Sequence, residues 1–208
     1  MQDLIHTSLA AARSYADYRL MLTELLEKEG RTTGPDQSEF YIEIAHLNQA
    51  RMARLDRKPK LTEETSAFLA GLDRELTLLV LTEGWCGDAA QILPVLNWMA
   101  DATGNLHLYT LLRDEHPALM DEYLTDGARS IPKVIILDTQ TKEVLGSWGP
   151  RPAPAQQMVM DYKHAPEDEK PAYPDFQKQL HTWYARDKTR TTQGEVVRVL
   201  IEAMNSLY

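Results

Sequence analysis

The 208-residue chain is 43% apolar, contains one cysteine and has a formal net charge of -9. That balance excludes a disordered polar chain, a general nucleic-acid binder and an intrachain disulfide scaffold. The start, "MQDLIHTSLAAARSYADY", has no basic leader and is interrupted by Asp3, His6 and Arg13. No run reaches the length of a membrane span, so the expected setting is cytoplasmic, with a reduced thiol.

Taken in chain order, residues 3–29 read as one helix, with Tyr18, Leu22, Leu25 and Leu26 on a single apolar face. "EGRTTGPDQ" ends it. A second helix is expected over 38–57, with Tyr41, Ile44, Ala45, Met52 and Leu55 along one side. A third, short helix follows Thr62, a natural N-cap backed by Glu63 and Glu64. The first 72 residues therefore read as wholly helical.

The pattern then changes. "LTLLVLT" (76–82) has the texture of a strand buried on both faces. A helix is expected over 87–103, a strand over 106–112 and a short helix over 117–124. "KVIILD" (133–138) and "EVLGSW" (143–148) read as two further strands joined by a turn. This order predicts an α/β domain with a mixed sheet. Beyond Gly149 the chain is helical again: one helix over 152–164, and a second with Phe176, Leu180, Trp183 and Tyr184 as its stripe. A third shows Val196, Leu200 and Met204 on one face, with Thr192 and Glu195 as a possible capping box.

Four marks in the centre belong together. "EGWCGDA" (83–89) follows the first central strand. Pro94 lies eight residues after Cys86. "RSIP" (129–132) precedes the third strand, and Gly149 follows the hairpin. On these residues, the region from about 74 to 150 resembles the thioredoxin fold, and the chain looks like bacterial thioredoxin-like proteins with helical additions at both ends. The expected division is an N-terminal helical extension over 1–72, a core over 73–150 and a C-terminal helical extension over 151–208.

The departures from the family pattern are as informative. Ala89 stands where the resolving cysteine is expected, and Asp88 stands in place of a proline. Val80 replaces the buried aspartate of the first strand. One thiol cannot close an intramolecular bridge, which points away from a dithiol reductase. Cys86 is expected in the first turn of its helix, where free N–H groups and the dipole lower a thiol's pKa. Asp88, expected beside the sulfur as a guard, a helix cap or a proton-handling group, pushes it up. Sequence leaves the net sign open.

The resemblance implies that Cys86 and Asp88 carry the chemistry. Trp85, Gly87, Ile131 and Pro132 would contact substrate, with Pro132 in cis and the Ile131 backbone offered to an extended chain. Trp85 reads as a partly exposed aromatic beside the thiol. The six histidines are scattered without ligand spacing, so neither a metal site nor a cofactor is expected. Arg51, Arg54, Arg57, Lys58 and Lys60 cluster near a helix end. They read either as ordinary helix-end cations or as an anion pocket beside the thiol.

Two functions follow. The first is monothiol exchange or redox sensing, with a protein disulfide or a low-molecular-weight thiol as partner. The second is a redox-inactive thioredoxin-fold module that binds a partner protein.

Overall fold

The computed structural model describes residues 2–205. Five strands, β1 (Arg13–Ser14), β2 (Leu76–Thr82), β3 (Leu106–Leu112), β4 (Lys133–Asp138) and β5 (Val144–Trp148), form one mixed sheet. Their spatial order is β1–β3–β2–β4–β5. β2 lies at the centre because its side chains are leucine, valine and threonine, and all seven residues are buried. It runs parallel to β3, with Leu79 opposite Tyr109, and antiparallel to β4, with Leu79 opposite Ile135. β5 continues antiparallel to β4.

The parallel pair needs a crossover, and α5 (Ala89–Asp101) supplies it. Sheet and helices enclose α5 so fully that ten of its residues are buried, Pro94 among them. Its outer face is covered by α3 (Glu39–Asp56). α4 (Glu63–Ala70) starts as its sequence predicts, with Thr62 Oγ1 accepting the Thr65 N–H at 3.1 Å. After β3 come a short 3-10 turn over Arg113–Glu115 and α6 (Pro117–Asp121), which is shorter than expected.

The expected single helix over 3–29 is two helices, α1 (Gln2–Ala11) and α2 (Tyr15–Lys28), separated by β1. The first 72 residues are therefore not wholly helical. Ser14 breaks the helix: its Oγ accepts the Asp17 N–H at 3.1 Å and donates to the Asp17 carboxylate at 2.6 Å. Arg13 and Ser14 then pair with Thr110 and Tyr109, which covers the outer edge of β3.

The C-terminal helices are α7 (Ala153–His164), α8 (Tyr173–Asp187) and α9 (Arg190–Asn205). The capping box expected at Thr192 and Glu195 is absent, because α9 already begins at Arg190 and Thr192 is buried. The Glu195 carboxylate works elsewhere. It accepts the Trp148 indole N–H at 3.0 Å and the Ala153 N–H at 2.8 Å, capping α7 instead. The two extensions also meet. The buried Gln193 side chain accepts the Thr62 N–H at 2.8 Å and donates to the Lys60 carbonyl at 3.0 Å. The expected extension limits at residues 1 and 208 lie outside the described residues. Among those described, no helix is long and apolar enough to cross a membrane.

Candidate functional site

The segment Glu83–Asp88 turns the chain from β2 into α5. The Cys86 N–H donates to the Glu83 carbonyl at 3.1 Å, and the Cys86 carbonyl accepts the Ala90 N–H at 3.2 Å. The first residue of α5 is Ala89, not Gly87, so Cys86 precedes the helix instead of sitting in its first turn. The helix still reaches the thiol, since the Ala89 N–H points at Sγ from 3.5 Å. On the other side, Sγ–H donates to the Ile131 carbonyl at 3.4 Å. The residue is 7% exposed. Burial, and after it the Asp88 charge, push the thiol up to about 12. The sign left open by the sequence is thereby decided, and burial decides it more than Asp88 does.

Asp88 does not cap the helix. Its backbone is helical (φ -67, ψ -42), whereas a capping side chain needs the extended conformation to reach the free N–H groups. The carboxylate instead accepts Arg151 Nε at 2.8 Å and the Tyr184 hydroxyl at 2.7 Å. Both partners come from beyond Gly149. Arg151 is steadied in turn by Gln156, whose Oε1 accepts Nη1 at 2.8 Å. Burial first, and Asp88 second, push the Tyr184 phenol up, so it stays a neutral donor.

Trp85 is half-buried, as its sequence reading expects. Its ring meets Tyr41 edge-on at 5.4 Å, and the Arg113 guanidinium lies 4.9 Å from its centroid. Gly87 forms part of the floor. A Cβ there would stand 3.0 Å from the His181 ring, so the residue must be small. His181 pairs with the Gln91 amide at 3.2 Å; burial, and then Arg51, lower its pKa to about 4. The Ile131–Pro132 peptide is cis, and both residues are buried. The Gly149–Pro150 peptide is cis as well. Gly149 has φ +112, and a Cβ on it would stand 2.4 Å from the Pro132 carbonyl oxygen, so only glycine fits behind that loop.

These groups border a cleft of about 820 Å³ between α3, α8 and the motif. Five of the six expected site residues, Trp85, Cys86, Gly87, Asp88 and Ile131, line it. Pro132 lies behind Ile131 and is not on the wall. Of the helix-end cations only Arg51 reaches the cleft; Arg54, Arg57, Lys58 and Lys60 are exposed elsewhere. Sequence reasoning missed Arg151, Tyr184 and His181. "GPR" after the hairpin was one available signal: Arg151 stands two residues past the glycine. Nothing local marks Tyr184 or His181, which read as ordinary positions of an amphipathic helix.

A thioredoxin family model matches residues 34–164. Among solved structures, a protein of unknown function from Pseudomonas aeruginosa is similar, at 23% identity and a TM-score of 0.57. The match covers 92% of this chain and 99% of that one. An HIV epitope scaffold is similar at 21% identity and a TM-score of 0.54, covering 90% and 98%. At these identities the likeness speaks for the fold alone. No curated protein matches the chain.

Proposed function

The chain belongs to the thioredoxin family, and from that premise we propose that it is a redox-inactive member whose cleft binds a ligand. One observation carries this reading: the lone thiol is buried, donates to the Ile131 carbonyl and is pushed up to about 12. At pH 7 such a thiol is almost wholly protonated, and the thiolate is the nucleophile in disulfide exchange. Asp88 is engaged by Arg151 and Tyr184, which leaves no spare carboxylate oxygen aimed at the sulfur as a base. Monothiol exchange needs both an ionised and an accessible sulfur, so it is the weaker of the two readings. A cytoplasmic setting belongs to the same proposal, since a lone thiol stays reduced there.

The test is the rate at which iodoacetamide alkylates Cys86 between pH 6 and 11. The reading expects the rate to climb about tenfold per pH unit with no plateau below about pH 10, against an ordinary value near 8.5 for the unfolded chain. It also expects no acceleration of insulin reduction over the dithiothreitol background, and no turnover with thioredoxin reductase. A plateau near neutral pH, or turnover like that of a dithiol thioredoxin, overturns it.

A further inference from the structure

The cleft carries a charge opposite to that of the molecule. The chain as a whole is at -9. Yet Arg51, Arg113, Arg129, Arg151, Lys178 and Arg186 all line the cleft, and among the described residues its only lining carboxylate is Asp88. Three of these cations are matched: Arg113 by Asp114, Arg129 by Asp121 and Arg151 by Asp88. Among the described residues, no carboxylate ion-pairs with Arg51, Lys178 or Arg186.

Arg51 is the most telling of the three. It is half-buried, yet its charge has no ion-pair partner. Its Nη1 donates to Asn48 Oδ1 at 2.7 Å. Asn48 is itself wholly buried and locked by donating to the Gly84 carbonyl at 3.0 Å. The guanidinium is therefore held in place, with Nη1 3.8 Å from where a Gly87 Cβ would stand. Fixing and partly desolvating a cation that has the Asn48 amide and the Asp88 charge, but no ion-pair partner among the described residues, costs stability. Beside it, the cleft exposes large apolar side chains: Phe40 at 50%, Leu47 at 56% and Tyr173 at 49%. A cationic floor below an apolar rim, within about 820 Å³, matches the size and make-up of small-molecule sites.

We propose that this cleft binds a small organic anion, with its acidic head at Arg51 beside Gly87 and its apolar body along Phe40, Leu47 and Tyr173. The proposal rests on the reading of the cleft as a binding site and names the class of its occupant. Helices from both extensions wall the site, which bounds it for a compact ligand.

The probe is 8-anilinonaphthalene-1-sulfonate, titrated by fluorescence in parallel with N-phenyl-1-naphthylamine, which has the same rings without the sulfonate. One saturable site is expected for the sulfonate, at least about tenfold tighter than for the neutral compound. Arg51→Gln should weaken the sulfonate by about tenfold or more and leave the neutral compound within about twofold, as for a hydrogen bond to a charged group. The unmodified protein gives a second measure that does not depend on how the variant folds. Its affinity for the sulfonate should fall severalfold between about 0.05 and 0.5 M salt, while that for the neutral probe does not. Equal binding of the two probes, no effect of Arg51→Gln, or no salt dependence each overturns the proposal. Neither probe reacts with thiols. A fast-alkylating Cys86 would therefore sink the redox-inactive reading without touching this result, and loss of the anion preference would do the reverse.

Discussion

Among the described residues, the Cys86 sulfur hydrogen-bonds only within its own core, to the Ala89 amide and the Ile131 carbonyl. Two residues later, Asp88 meets a guanidinium and a phenol delivered from beyond Gly149. The sulfur's partners are uncharged backbone groups, while the extension side sets a half-buried cation and a buried phenol against Asp88. The contrast shows how a fold can keep its site geometry while its chemistry changes. The core positions the turn and the cis peptide, and the added helices decide which charges stand there and what they face.

The largest expected effect tests whether the extension side is a true buried pair. Arg151→Met leaves the 8%-exposed Asp88 carboxylate without its cation. It should cost about 3 to 5 kcal/mol in chemical denaturation. Adding Asp88→Asn should recover more than half. A loss below about 1 kcal/mol would show that the pair is not isolated from water.

The core side has a matching probe. Leu79→Ala removes a wholly buried side chain from the central strand and should cost about 3 kcal/mol. It should leave the probe affinities of the cleft within about twofold. A change in those affinities would show that sheet and cleft are not separable in the way the comparison requires.

A third test uses pH. The His181 pKa in the fold is about 4 against an ordinary 6.5. Between those values the unfolded chain binds a proton that the folded chain refuses. This stability is therefore present above about pH 6.5 and is lost as pH falls towards 4. The loss should reach about 3 kcal/mol by pH 4 and should be absent from the matching His181→Gln curve. Identical pH profiles for the two proteins would remove His181 from the site's electrostatics.

The smallest effect crosses from one side to the other. Asp88→Asn removes a like charge near the sulfur and frees Arg151, so the Cys86 pKa should fall. Because burial dominates, alkylation at pH 9 should speed up by about tenfold or less, one pKa unit at most. A slower rate would mean that Asp88 helps to deprotonate the thiol.

Much of this was legible in the chain. Strands β2 to β5 and helix α4 announced themselves through apolar runs, turn residues and a Thr62 cap, because those signals are local. The split between α1 and α2 was legible too, since Ser14 and Asp17 have capping-box spacing, but the apolar face of 18–26 masked it. The cap at Thr192 and Glu195 failed for the opposite reason. The spacing was right, but Trp148 and Ala153 offered Glu195 better donors across the fold.

The sequence by itself determined the sheet, the turn that carries Cys86 and the absence of a second thiol. These depend on side-chain periodicity, backbone preference and count, all of which are properties of neighbouring residues. Only the tertiary structure decided the thiol's protonation and the partners of Asp88. It also decided that Arg51 stands over the cleft while Arg54, Arg57, Lys58 and Lys60 do not. Those outcomes follow from desolvation and charge, which depend on distance in space. Arg151 and Tyr184 lie 63 and 96 residues from Asp88 along the chain and within 2.8 Å of it in the fold.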